Sequence, residues 1–369
     1  MSSENSSSEK LNWVEKQFRM KELGTNVKKE TLAGITTFVS MAYILFVNPS
    51  VLGASGMDKG AVFTATALSA ILGCLLMAFL ANYPIAIAPG LGDNAFFTYS
   101  VVLAMGIKWQ TALAGVVVAS IIFTILTFFK IREIVINAIP HNLKLAMAAG
   151  IGMFIAFIGL QGGGLVVASK SSLVQLGSLT VPTTWLTIFG LFVTALLMAR
   201  KVPGSIFIGI VATAILGLVT GLIKAPSQIV SSIPSMKPTF AVGIKHLGDV
   251  NTPQMWAVVL IFLLVAFFDT AGTLIGLAQQ AGLMKNDKMP RIGQALMADS
   301  VSMLAGSVMG TTPTAAYVES SAGIAVGGRT GFTALVVAVL FGFGMFFSPL
   351  LSVVTTQVTA PALIIVGAL

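Results

Sequence analysis

The chain of 369 residues is 56% hydrophobic and only 9% charged, with a mean hydropathy of +0.94. An average soluble domain is roughly 25% charged, so the composition excludes that class and points to a polytopic membrane protein. The 21 basic residues outnumber the 13 acidic ones, a net +8 that would suit a nucleic-acid binder, but the positions of the cations assign the excess to membrane topology instead.

Residues 1–30 form a polar tail. Within it, "LNWVEKQFRMKEL" spaces Trp13, Phe18, Met20 and Leu23 for an amphipathic helix lying in the membrane interface; a tethered cytoplasmic tail is the plainer alternative. A signal-peptide pattern does not precede the first apolar run, so that run is expected to serve as its own insertion signal. Runs of about 18–25 apolar residues, enough for a ~30 Å hydrocarbon core, then recur along the chain. They fall at 31–52, 61–81, 84–106, 109–129, 143–160, 182–199, 204–223, 254–283, 292–309, 310–328, 332–347 and from near 350. With the tail inside, Lys10, Lys16, Arg19, Lys21, Lys28, Lys29, Lys130, Arg132, Lys144, Arg200, Lys201, Lys285, Lys288, Arg291 and Arg329 gather on the inner side. The outer side receives only Lys59, Lys108, Lys170, Lys224, Lys237 and Lys245. This positive-inside bias predicts a multi-pass protein of the cell membrane with a cytoplasmic N-terminus.

Cys74, the single cysteine, lies in the second span and reads as a small packing residue. His141 and His246 have no second ligand at a metal spacing. Walker lysine motifs and serine or cysteine hydrolase signatures are missing from the sequence, so no metal, cofactor, ATP coupling or enzymatic chemistry is expected.

Most of the acids are accounted for by the tail (Glu4, Glu9, Glu15, Glu22, Glu30) or by connections (Asp58, Glu133, Asp249, Asp287). Four remain at membrane depth: Asp93, Asp269, Asp299 and Glu319. An ionisable group at mid-span costs about 2.5–3.5 kcal/mol on insertion scales, so it normally faces a partner or a polar path. Asp299 reads either as part of such a path or as a packing acid bonded to neighbouring hydroxyls. Asp93 either lines the path or caps the helix that starts beside it. Asp269 lies too deep in its span to be a cap, and it and Glu319 are the stronger candidates for function.

Residues 88–102, "APGLGDNAFFTYSVV", and 312–326, "TPTAAYVESSAGIAV", share a pattern: Pro at the second position, a polar residue five or six further on, then an apolar run. Each reads as a broken helix, an extended piece followed by a half-helix that starts inside the membrane. Paired interruptions in two halves of a chain point to a transporter binding site, with Asn94 and Glu319 at the two positive helix ends. Seven spans from 31 to 223 place a second copy in inverted orientation. A full copy starting at 254 would run past Leu369, so about twelve spans are expected here, with roughly the last two missing.

Four segments, "AGITTFVSMAYILFVNPS", "APGLGDNAFFTYS", "FFDTAGTLIGLAQQAG" and "YVESSAGIAVGGRTG", resemble the signature stretches of the AzgA-like purine permeases, relatives of the nucleobase–ascorbate transporters. The resemblance implies an all-α membrane fold of two inverted seven-span repeats. It implies a core domain (31–129 and 254–347), a gate domain (130–223 and 348–369) and an extracytoplasmic loop at 224–253. It also implies proton-coupled import of adenine, guanine or hypoxanthine, with Asn94, Asp269 and Glu319 at the base. Asp93 stands where the family more usually has an apolar residue.

The chemistry agrees with that assignment. A carboxylate accepts two adjacent N–H donors of a purine edge. Phe96, Phe97 or Tyr317 would stack on the flat ring or serve helix packing. Thr273, one turn beyond Asp269, and Ser320, next to Glu319, add hydroxyls. Asp269, Glu319, Asp299 and Asp93 are the candidate proton carriers. The expected partners are a purine, a proton, membrane lipid and, in a homodimer, a second copy; nucleic acid is not among them. A uracil or xanthine symporter, or a sulfate-type anion transporter on the same fold, is the alternative.

Overall fold

The computed structural model describes residues 13–131, 141–169, 172–284 and 289–368. Residues 1–12 of the tail, with Arg132, Glu133, Lys170, Lys285, Asp287 and Lys288, lie outside them. The first span is two helices in tandem, α2 (Val27–Met41) and α3 (Ile44–Gly53), after a short α1 (Trp13–Gln17). Asn26 caps α2 by accepting from the Lys29 N–H at 3.0 Å, and Asp58 caps α4 (Lys59–Leu76) by accepting from Ala61 N–H at 2.7 Å. A wider π turn, Met77–Ala81, prolongs α4 to Asn82, whose left-handed backbone stops it.

The strand β1 (Ile87–Pro89) and the helix α5 (Leu91–Ala95, widening to a π helix over Phe96–Ala104) occupy the third expected span. Then follow α6 (Trp109–Phe128), α7 (His141–Gly162), a hairpin of β2 (Val166–Ser169) with β3 (Leu173–Leu176), α8 (Pro182–Ala199) and α9 (Ser205–Val219). Short α10 (Val242–Lys245) interrupts the next connection before α11 (Pro253–Gln280) and α12 (Ile292–Met309). The strand β4 (Thr314–Ala316), α13 (Ser320–Ala325), α14 (Gly331–Gly344) and α15 (Thr356–Ala368) complete the chain, with a 3-10 stretch at Met345–Ser352 before α15.

Among the described residues, six helical stretches are long and apolar enough to cross a membrane: Val27–Gly53, Lys59–Ala81, Trp109–Phe128, Pro182–Ala199, Pro253–Gln280 and Gly331–Ser352. Helix α14 packs on both α2 and α4, and α12 lies against α4 and α6. Helices α7, α8 and α9 each pack on α15, and α8 and α9 also on each other. Small residues permit the α7–α15 approach: a side-chain carbon on Gly152 would lie 2.6 Å from the Gly367 carbonyl oxygen. The connection at 224–253 is bound to the bundle, with Thr64 donating to the Pro234 carbonyl at 2.8 Å and Ala241 N–H to Val308 at 2.7 Å.

Three expectations change. The amphipathic tail does not offer its whole apolar side to lipid: α1 is barely one turn, and Phe18 and Met20 are 1% and 0% exposed. The Phe18 ring packs on Phe79 and Phe332 while its carbonyl accepts from Asn82 Nδ2 at 3.0 Å, so protein supplies the dry surface. Glu30 is no tail acid. Fully buried, its carboxylate accepts from Arg329 N–H at 2.8 Å, Thr330 N–H at 3.3 Å and Thr333 Oγ1 at 2.5 Å. Finally, the second interrupted segment resumes as a helix of only six residues, because Gly327 and Gly328 end α13 in a turn. Cys74 is buried as expected, and its sulfur also meets the Ile87 carbonyl (3.5 Å) and N–H (3.4 Å), tying α4 to β1.

Candidate functional site

Prolines 84, 89 and 313 remove backbone donors and block helix continuation, which leaves extended chain at two points within the bundle. Backbone polar groups there need partners, because lipid offers none. The two extended pieces supply each other: β1 and β4 pair antiparallel, Ile87 opposite Ala316, Ala88 opposite Ala315 and Pro89 opposite Thr314. Gly90 N–H donates to the Pro313 carbonyl, and Tyr317 N–H to Ala86, each at 2.9 Å. Ser320 Oγ accepts from Ala86 N–H at 3.0 Å, and Tyr317 OH donates to the Pro89 carbonyl at 2.5 Å.

This pairing brings the acids together. A side-chain carbon on Gly90 would lie 3.1 Å from Asp93 Oδ2 and 3.3 Å from Asp269 Oδ2, so both carboxyl groups crowd the same bare backbone position. Asp93 does not cap α5. Gly90 is the capping residue, and both Asp93 oxygens, fully buried, have no hydrogen-bond partner among the described residues. Asn94, also fully buried, accepts at Oδ1 from Thr312 Oγ1, while its Nδ2 is unpartnered among the described residues. Glu319 precedes α13 without capping it; instead its Oε1 accepts from Tyr43 OH. Asp269 and Glu319 are half-buried, as is Thr273, whereas Asp299 is fully buried on α12 within electrostatic reach of Asp93 and Asp269.

The aromatic residues divide. Phe96 meets Phe262 edge-on with ring centroids 5.1 Å apart, and Phe97, fully buried, lies 6.5 Å from the same ring. Both are therefore engaged in packing α5 on α11, and Tyr317 and Tyr43 are the rings that stand with the acids. Sequence reasoning missed Tyr43, Gly90 and Asn48. Asn48 is buried and donates to Thr66 at 2.7 Å and Thr311 at 2.9 Å, anchoring the start of the second interruption. A tyrosine and an asparagine within the apolar run "YILFVNP" were the available signal.

Two short strands meeting inside a bundle of apolar helices, each handing the chain to a helix beside clustered carboxyl groups, define a multi-pass membrane transporter. The fold is shared with solved transporters: the transmembrane domain of the cyanobacterial bicarbonate transporter BicA (TM-score 0.69, 16% identity, 93% of this chain and 89% of that one) and SLC26A9 (TM-score 0.63, 12% identity, 95% and 60%). The chain belongs to the Permease family, which it matches over residues 28–369. It is similar to the guanine/hypoxanthine permease PbuG of Bacillus subtilis, 55% identical over 361 residues covering 95% of this chain and 82% of that protein. The adenine permease AdeP of Escherichia coli is 42% identical over 357 residues, covering 96% and 80%.

Proposed function

We propose that this protein imports a purine nucleobase together with a proton. The observation that carries the reading is the convergence of Asp93 and Asp269 on Gly90, with Glu319 held by Tyr43 at the neighbouring helix start. Carboxylates side by side accept the N–H and amino donors of a purine edge, and a base lacking those donors leaves them unpaired at a cost. In this reading Asn94, Asp269, Thr273, Glu319 and Ser320 bind the base, Tyr317 lies against its face, and Phe96 and Phe97 shape the wall. Asp93, Asp269, Asp299 and Glu319 provide the carboxyl groups able to carry the proton. The names of the relatives, guanine/hypoxanthine and adenine permeases, support the substrate class. An anion carrier on this fold is disfavoured because acids stand where the helix starts would otherwise attract the anion.

Transport then follows from one helical group moving against another. The paired strands travel with α2–α6 and α11–α14 as the core, while α7, α8, α9 and α15 form the gate. Their shared surface passes close to the site: a side-chain carbon on Gly92 would lie 2.8 Å from Ile151 of α7. The cell membrane is the setting, with the N-terminus in the cytoplasm by the distribution of cations.

The test is uptake of radiolabelled adenine, guanine, hypoxanthine and uracil by cells expressing the protein, with and without a protonophore. Accumulation of a purine that collapses with the protonophore, and that Glu319→Gln abolishes, is the expected result. Uracil alone, or accumulation by Glu319→Gln equal to wild type, would overturn the assignment.

A further inference from the structure

Where α4 and α6 end and α12 begins, away from the paired strands, two adjoining cavities open on the bundle. The first, about 500 Å³, carries the cations Lys16, Arg19 and Arg291 together with Trp13, Phe79 and Leu80. The second, about 450 Å³, shares Arg291 and adds Lys130, Phe128 and Met297. Among the described residues, no acid lines either one. Lys16, Arg19 and Lys130 are exposed, and Arg291 is half-buried, its guanidinium 5.4 Å from the centre of the Tyr83 ring. Large apolar side chains stand bare beside these charges: Trp13 is 67% exposed, Phe79 47%, Leu80 46% and Phe128 71%.

We propose that these joined cavities form a binding site for an anionic phospholipid. The phosphate of the headgroup sits among Lys16, Arg19 and Arg291, where guanidinium groups and an ammonium group satisfy its oxygens. The acyl chains follow Phe79, Leu80 and Phe128 toward lipid, since the first two close the apolar stretch Lys59–Ala81 and the third closes Trp109–Phe128. Charge complementarity selects the ligand. A zwitterionic headgroup would bring a second cation into an all-basic pocket, and free phosphate would leave the bare rings uncovered. Tryptophan at such a boundary sits at headgroup level with its ring in the apolar layer. One lipid bound here bridges α1, the end of α4 and the start of α12, none of which belongs to the proposed purine site.

The experiment is native mass spectrometry of the purified full chain in detergent, titrated with palmitoyl-oleoyl phosphatidylglycerol or with the matching phosphatidylcholine. Phosphatidylglycerol should bind about tenfold more tightly, and the double variant Lys16→Gln/Arg19→Gln should lose about 25-fold of that affinity, near fivefold per charge removed. Arg291→Gln tests the same pocket from α12 and should lose about fivefold, while Lys237→Gln/Lys245→Gln, in the 224–253 connection, should bind as wild type. Equal binding of the two lipids, or phosphatidylglycerol affinity unchanged in both pocket variants, would overturn the proposal. So would inorganic phosphate displacing the lipid at millimolar concentration and giving the same thermal stabilisation, a result that assigns the pocket to a soluble anion.

Discussion

The phenol of Tyr43 donates its hydrogen bond to Oε1 of Glu319, a residue 276 positions further along the chain. The bond fixes the direction of a carboxylate that would otherwise be free to turn about its side-chain torsions. A hydrogen bond to a charged group contributes about 1.5–3 kcal/mol. Tyr43→Phe keeps the buried ring and removes only the donor. Uptake assays should therefore give a KM raised by about tenfold, the lower end of that range, with normal amounts of protein in the membrane. An unchanged KM would remove Tyr43 from the site.

Gly90 adopts φ −73°, which any residue tolerates, so its requirement is for space and not for an unusual backbone. The methyl group of Gly90→Ala would press on Asp93 Oδ2 and Asp269 Oδ2 at 3.1 and 3.3 Å. The expected outcome is a folded protein with little purine uptake, read by comparing thermal unfolding in detergent with transport. Wild-type uptake would mean that the two carboxyl groups separate freely and need no fixed spacing.

Glu30 gathers two backbone N–H groups and one hydroxyl at the turn between α13 and α14. Glu30→Gln preserves shape but replaces one acceptor oxygen with a donor among donors. The expected loss is about 1.5–3 kcal/mol of stability, seen as a midpoint several degrees lower in thermal unfolding. Purine affinity in the surviving folded fraction should be unaffected.

Outside the membrane, Asp249 accepts from Thr111 at 3.2 Å and meets His246 Nδ1 at 2.8 Å. The bond with His246, reinforced by Thr111 and the nearby charges of His246 and Lys108, holds its carboxyl below the usual carboxylate range. A depressed folded value means that the contribution is complete above the unfolded pKa, near 4, and is lost as the pH falls through the folded one. Hydrogen exchange at residues 246–250, corrected for intrinsic rates, should stay flat down to about pH 4 and rise only below it. His246→Ala should move that rise to higher pH.

The sequence carries much of this architecture in local form. Prolines and glycines at 89–90 and 310–313 mark the interruptions, and the apolar runs give nearly every helix, because length and hydropathy are properties of a single segment. What it hides is pairing. Nothing local in Ile87–Pro89 names Thr314–Ala316 as its partner, and nothing in Glu30 tells a tail acid from one that closes a turn 299 positions away. Phe18 and Met20 mislead for the same reason: an amphipathic pattern reports that one side is dry without saying whether lipid or protein keeps it so. Asp93 follows this logic too, since its distance from a helix start fits a cap, and only the fold turns its carboxyl toward Asp269.

The two strands are three residues each, and among the described residues neither has another strand to lean on. Tyr317 reaches Pro89 across 228 positions and Ser320 reaches Ala86 across 234. During synthesis, residues 86–90 therefore enter the membrane long before the segment that will accept and donate their hydrogen bonds has been made. Until residues 313–320 arrive, that stretch has to stay beside water or the insertion machinery, or form a helix that its prolines resist. Assembly of the centre is thus a late event in the life of the chain, since the first strand has to wait for the second.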